Sequence, residues 1–239
     1  MIYPRIIAHR CGGALTPENT LAGLRLAARL GCRGVEFDAM LAADGVPVLI
    51  HDETLERTTS GRGRVADANS IQISLLDAGS QRHPAFAAEP VPTLDEALRL
   101  CAALGLWANV EIKPSAGREA ETGKIVARHA ALAQGKLLLS SFSLEALRAA
   151  ADEAGHLTRA VLFEAIPADW RQCMAQSGAL ALHASARTLT PSAMAAVREA
   201  GVPVACYTVN RREAAGNLFT MGVSAVFTDR PDLWLSSEM

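Results

Sequence analysis

Short apolar stretches of β-strand character alternate with amphipathic helical patterns from one end of the chain to the other, and few folds accommodate that alternation. The strand-like segments are Arg5 to His9, Gly34 to Met40, Leu106 to Lys113, Lys136 to Ser141, Thr158 to Phe163, Leu180 to His183, Pro203 to Val209 and Ala225 to Thr228. Helical patterns lie between them near Glu18 to Leu30, Leu94 to Ala103, Glu119 to Leu132, Leu144 to Glu153, Asp169 to Gln176, Pro191 to Ala200 and Arg211 to Phe219. Eight strands with intervening helices predict an α/β barrel, and 239 residues is an ordinary length for such a barrel folded as one domain, residues 1–239. Thr16 is placed to cap a helix whose first residue is Pro17, Thr190-Pro191 repeats that signal, and Gly31 and Gly201 close the same two helices.

One interval breaks the rhythm. From about residue 44 to 92, Asp44-Gly45 predicts a hairpin leading into Val46 to Ile50, followed by a polar, glycine-bearing run from Thr58 to Arg64. An insertion at the C-terminal end of a barrel strand overhangs the active-site mouth, so this segment is expected to cover it.

Four clusters carry the chemistry: His9-Arg10, Glu36-Phe37-Asp38, His51-Asp52 and Glu111-Ile112-Lys113. Strand side chains alternate faces, so Glu36 and Asp38 share one face, Glu111 and Lys113 share another, and Val35, Phe37, Val110 and Ile112 turn to an apolar layer. Three carboxylates on two strands offer hard oxygen ligands suited to a divalent cation; pairing with Lys113 or an arginine is the structural alternative. His9 and His51 are candidate acid and base, although a histidine at a strand end is often only a hydrogen-bonding group. Arg10 and Lys113 complement a phosphodiester, with Glu18 or Glu36 as ordinary partners for the arginine. The Cys11-Gly12-Gly13 turn either brings backbone N–H groups to an anion or merely reverses the chain. Asp52 either orients His51 or forms a turn. His83, His129, His156 and His183 have no chemical neighbours in sequence and read as structural.

Other classes are disfavoured. No nucleophile elbow or P-loop is present, and a net charge of -2 with scattered Lys and Arg gives no nucleic-acid footprint. Five widely spaced cysteines without a CxxC pair argue against disulfides or a zinc cluster and for a reducing, cytoplasmic setting. The sequence reaches His9 too early for a signal core, and no apolar window approaches the roughly 20 residues of a membrane span, so no membrane anchor is expected.

The runs His9-Arg10 through Pro17-Glu18-Asn19-Thr20, Glu36-Phe37-Asp38, Asp44 through His51-Asp52 and Arg57, and Val110-Glu111-Ile112-Lys113-Pro114 closely resemble the glycerophosphodiester phosphodiesterase family, particularly its short cytoplasmic bacterial members. Pro92 to Leu98, Ser140-Ser141-Phe142, Tyr207 to Asn210 and Phe227 to Pro231 extend the resemblance over essentially the whole chain. The resemblance implies a TIM (β/α)8 barrel with an insertion after the second strand, hydrolysing a small-molecule glycerophosphodiester to sn-glycerol 3-phosphate and an alcohol. It implies metal binding by Glu36, Asp38 and Glu111 (Mg²⁺ or Ca²⁺, with Mn²⁺ also suited), acid/base roles for His9 and His51, and substrate binding by Arg10, Lys113, Phe142 and Tyr207. A phospholipase D-like or phosphoinositide-cleaving enzyme and a non-catalytic barrel that binds phosphodiesters as a sensor or partner are the rival readings. The chain departs from the family at Cys11, where the family usually has Gly, and at Tyr207, where it commonly has Trp. The first departure is expected to narrow the pocket or demand an unusual backbone angle.

Overall fold

A computed structural model describes residues 3–234. Its described residues form a nine-stranded sheet in the order β1-β9-β8-β7-β6-β5-β4-β2-β3, closed by pairing of β1 with β2. The barrel strands are β1 (Ile6–Ala8), β2 (Gly34–Leu41), β4 (Trp107–Ile112), β5 (Leu137–Ser141), β6 (Arg159–Phe163), β7 (Ala181–Ser185), β8 (Val204–Tyr207) and β9 (Ala225–Thr228). All their mutual pairings are parallel. The chain therefore folds as the TIM barrel its strand–helix alternation predicts.

Alternation along the strands sorts residues between two cores. Ile7, Ala160, Ala181, Ala205, Ala225 and Phe227 point inward with Tyr3 and Leu138. Four alanines on adjacent strands leave room for rings, and Tyr3 and Phe227 fill it around His183, whose Nε2 lies 3.1 Å from the Tyr3 hydroxyl. Burial pushes the His183 imidazole down to about 3, which makes it a neutral filler. Outward residues such as Val35, Phe37, Val110, Val161, Leu182 and Val226 pack under the helices.

The helices are α1 (Leu21–Arg29), α2 (Ser70–Ser74), α3 (Leu94–Leu104), α4 (Glu119–Ala131), α5 (Leu144–Glu153), α6 (Trp170–Ser177), α7 (Pro191–Glu199) and α8 (Arg212–Thr220). Helix α7 starts as predicted, with Thr190 capping and Pro191 first. The start of α1 does not. Thr20 is its cap, accepting from the Gly23 amide, and the Pro17-Glu18-Asn19 segment is a turn in which Asn19 adopts φ +57°. The turn places Glu18 and Asn19 over the barrel, and the Thr16 hydroxyl caps no helix among the described residues.

The predicted hairpin is present: β3 (Pro47–Leu49) runs antiparallel to β2. The insertion that follows has its own apolar core, comprising Val48, Ile50, Leu55, Val65, Ile73, Ala78 and Val91 on Met40 and Ala42. Short helical turns at Val65–Asp67 and Pro84–Phe86, with the five-residue α2, were invisible in the sequence because each is too short to show a helical period. Among the described residues no helix is long and apolar enough to cross a membrane.

Helices α4 and α5 approach closely at Gly123, where an added Cβ would lie 2.0 Å from the Ala146 carbonyl oxygen. Gly→Ala inside a helix ordinarily stabilises by about 1 kcal/mol. Here Gly123→Ala is expected to destabilise by ~1–3 kcal/mol, because the helices must separate; denaturant titration checks the sign, and a more stable variant would refute the close packing.

Candidate active site

The strand register assembles the site. β2 pairs with β4 so that Glu36 lies opposite Asn109 and Asp38 opposite Glu111, all directed inward at the C-terminal end of the barrel. Oxygens of Glu36, Asp38 and Glu111 lie within 4.8 Å of one another. Glu36 and Asp38 are 3% and 1% exposed, so this is a buried cluster of negative charge rather than a solvated face.

Its partners account for only part of that charge. Glu36 Oε2 accepts from the Arg10 amide at 2.8 Å, while its buried Oε1 has no partner among the described residues. Asp38 exchanges two bonds with Asn19, whose Nδ2 donates to Oδ2 at 2.8 Å and whose Oδ1 accepts from the Asp38 amide at 3.1 Å. Lys113 Nζ stands 3.5 Å from Glu111 Oε1. Burial, then repulsion from Asp38 and Glu111, raises Glu36 well above the usual carboxylate range. Glu111 is pushed up to about 7, again by burial first and Asp38 second. An orphaned oxygen among three mutually repelling carboxylates fits a hard divalent cation.

Two imidazoles flank the cluster in matching ways. His9 Nδ1 lies 2.7 Å from Asp229 Oδ1, with its Nε2 3.8 Å from Glu36 Oε2. His51 Nδ1 lies 2.6 Å from Asp52 Oδ1, and its Nε2 lies 3.2 Å from Lys113 Nζ. A carboxylate on Nδ1 fixes the tautomer and leaves Nε2 to face the site. Burial lowers His51, and Arg10 and Lys113 reinforce this against the opposing pull of Asp38 and Asp52. Hydrogen bonds from His9 and Asn210 hold Asp229 below the usual carboxylate range although burial pushes it up.

All nine residues singled out from the sequence, His9, Arg10, Glu36, Asp38, His51, Glu111, Lys113, Phe142 and Tyr207, line one cavity of about 230 Å³. Leu162, His183 and Phe227 also line it. Phe142, 47% exposed, meets Tyr207 edge-on with ring centroids 6.1 Å apart, and the Tyr207 hydroxyl donates to the Phe163 carbonyl at 2.9 Å. A larger outer cavity of about 660 Å³ shares His9, Arg10, Glu164 and Tyr207 with the first and extends to Arg57, Thr58, Gln81 and Arg82 of the insertion.

Residues 9–233 match the model of the glycerophosphoryl diester phosphodiesterase family. The chain belongs to that family. It is 33% identical over 232 residues, 95% of this chain and 94% of the relative, to a glycerophosphodiester phosphodiesterase of Caldanaerobacter subterraneus. Among solved structures, a phosphodiesterase of Oleispira antarctica in complex with the product sn-glycerol-3-phosphate superposes with a TM-score of 0.93 at 34% identity, covering 96% of this chain and 94% of that one. A glycerophosphoryl diester phosphodiesterase from Silicibacter pomeroyi, described in its structure as a provisional assignment, gives 0.82 at 26% identity, covering 95% and 90%.

The geometry decides between the alternatives at two places in the β1 loop. The amides of the Cys11-Gly12-Gly13 turn are spent internally, on Glu36, Arg10 and His9 carbonyls, so they make the turn and offer nothing to an anion. Gly13 is required there: at φ +60° an added Cβ would lie within 2.4 Å of the Asp229 backbone. Cys11 does adopt a glycine-like angle, φ +74°, but its fully buried side chain joins the core under α1 and leaves the cavity unnarrowed. Asn19, Arg57, Asn210 and Asp229 are contacts that no role was read for in the sequence. The available signal was polar residues in the loops that follow β1, β3, β8 and β9, at the barrel end where sites form.

A carboxyl whose folded pKa is raised stabilises the fold below its unfolded pKa and loses that contribution as pH rises through the folded value. With chelator present, stability is therefore expected to fall between about pH 4.5 and 7, the span set by Glu111. Glu111→Gln is expected to flatten this dependence and to be more stable than the parent at pH 8. Chemical denaturation at pH 5 and 8 measures both, and a variant less stable at pH 8 would contradict the charge strain.

Proposed function

We propose that this protein hydrolyses glycerophosphodiesters to sn-glycerol 3-phosphate and an alcohol, using a divalent cation at Glu36, Asp38 and Glu111 and His9 and His51 as the proton-transferring pair. The observation that carries this reading is the convergence of three buried carboxylates with two imidazoles, each oriented by its own carboxylate. The Oleispira relative, which holds the product sn-glycerol-3-phosphate, supports the substrate class. Hard oxygen donors suit Mg²⁺, Ca²⁺ or Mn²⁺. Held by Glu36, Asp38 and Glu111, such a cation would supply positive charge to offset that of the phosphate and Lewis acidity toward its oxygens.

The protein's own groups supply the rest. Arg10 and Lys113 hold non-bridging oxygens of the phosphodiester, the guanidinium as a fork and the ammonium as a point charge. His51, neutral at pH 7 because burial and two neighbouring cations disfavour its charged form, takes the proton from the attacking oxygen at Nε2. His9, with carboxylates near both ring nitrogens, gives a proton to the departing alcohol oxygen. Phe142 and Tyr207 form an apolar wall beside the substrate. The insertion at about residues 44–92 covers the mouth of a single-domain barrel, since its Arg57, Thr58, Gln81 and Arg82 line the outer cavity. Five unpaired buried cysteines suit a cytoplasmic setting.

Release of glycerol 3-phosphate from glycerophosphocholine tests the assignment. His9→Ala and His51→Ala are each expected to lower kcat by ~10²–10⁴ with little change in unfolding midpoint. Near-parental turnover in either variant would remove that histidine from the chemistry. Thorough chelation should abolish activity; turnover that survives it would rule out the cation. The acid limb of kcat/KM is expected below 6.5, the ordinary imidazole value, because the lowered His51 stays unprotonated further into acid.

A further inference from the structure

Arg57 lies in the insertion, outside the nine residues above, yet it touches both halves of the machinery. Its Nη1 and Nη2 donate to Glu18 Oε2 and Oε1, each at 2.8 Å. Its Nε donates to Asp52 Oδ2, and Nη2 also donates to Asp52 Oδ1 at 3.0 Å. One guanidinium is thus engaged by two carboxylates. Asp52 in turn holds His51 Nδ1, and Glu18 Oε1 accepts from Arg10 Nη1 at 3.0 Å. The chain of contacts runs His51, Asp52, Arg57, Glu18, Arg10.

An isolated surface ion pair is worth little, but this one is doubly bidentate and its backbone is anchored on both sides. Leu55 and Thr59 are buried, and Thr59 binds the Leu55 carbonyl through both its amide and its hydroxyl. The guanidinium is presented by a tight turn rather than by a swinging loop. Without it, Asp52 has one fixed partner fewer and can rotate away from His51. Glu18 likewise loses the group that keeps it in place for Arg10.

We propose that Arg57 is a positioning residue that fixes the His51 imidazole and the Arg10 guanidinium together, through Asp52 and Glu18. The insertion thereby sets the geometry of the proton-transfer group and of the phosphate-binding group at once. This role rests on the hydrolytic reading above, so its test includes a measurement that needs no substrate.

In Arg57→Ala, kcat on glycerophosphocholine is expected to fall 10- to 100-fold, the usual range for outer partners of a site, with a smaller change in KM. Millimolar guanidinium should restore a substantial part of the loss, since the cation fits the gap between two intact carboxylates. Arg57→Ala should slow Asp52→Asn by clearly less than it slows the parent, because the branch to His51 is already cut and only the branch through Glu18 to Arg10 is left to lose. Independently of turnover, the downfield Nδ1 proton resonance of His51 should be sharp in the parent and lost or broadened in Arg57→Ala. Kinetic parameters within twofold of the parent, strictly additive losses, or no guanidinium rescue would overturn the proposal. An unchanged His51 resonance would overturn it even if the parent turned over no glycerophosphodiester, an outcome that would separately refute the hydrolytic reading.

Discussion

Two neighbouring parallel strands are registered so that Asp38 faces Glu111, with Glu36 one inward position below, and the resulting charge repulsion governs the top of the barrel. Isolated anions are costly to bury, so the surroundings must either supply cations and donors or leave the carboxyls protonated. The loops do the former incompletely. The turn at Pro17-Glu18-Asn19 gives Asp38 an amide partner, and the β1 loop gives Glu36 a backbone N–H. Glu36 Oε1 is left without a partner among the described residues. A scaffold selected only for stability has no reason to keep such a cluster, and the barrel beneath it, filled by Tyr3, His183 and Phe227 among alanines, supplies the rigidity that holds it.

The two imidazoles sit where that charge is useful. Each has its Nδ1 against a carboxylate, but their outer neighbours differ: Glu36 for His9 and Lys113 for His51. Paired titratable groups whose environments differ are suited to opposite proton-transfer roles. The insertion couples to this arrangement by charge. Arg57 spans Glu18 from the β1 side and Asp52 from the β3 side, so the two halves of the site are joined across the mouth.

The barrel was legible in the sequence because strand and helix periods differ and alternate eight times. The candidate site was legible because polar residues interrupt strands that are otherwise apolar: Glu36 and Asp38 within β2, Glu111 within β4. What escaped was conformational or long-range. Thr16-Pro17 satisfies the local rules for a helix start, but Asn19, held at a left-handed angle by its two bonds to Asp38, delays the helix to Thr20. Asp229 is 220 positions from His9 and meets it only because β1 and β9 close the barrel. Cys11 signalled an unusual backbone angle correctly, but the direction of its side chain depends on the packing of α1.

The cation proposed at Glu36, Asp38 and Glu111 would displace protons from the raised Glu36 and Glu111 carboxyls as it binds. Titration calorimetry with Mg²⁺ or Mn²⁺, performed at pH 6 in buffers of different ionisation enthalpy and repeated at pH 8.5, tests it most directly. One ion bound per chain, proton release at pH 6 that diminishes at pH 8.5, and loss of binding in Glu36→Gln are expected. Binding that releases no protons at pH 6, or that survives Glu36→Gln unchanged, would contradict it.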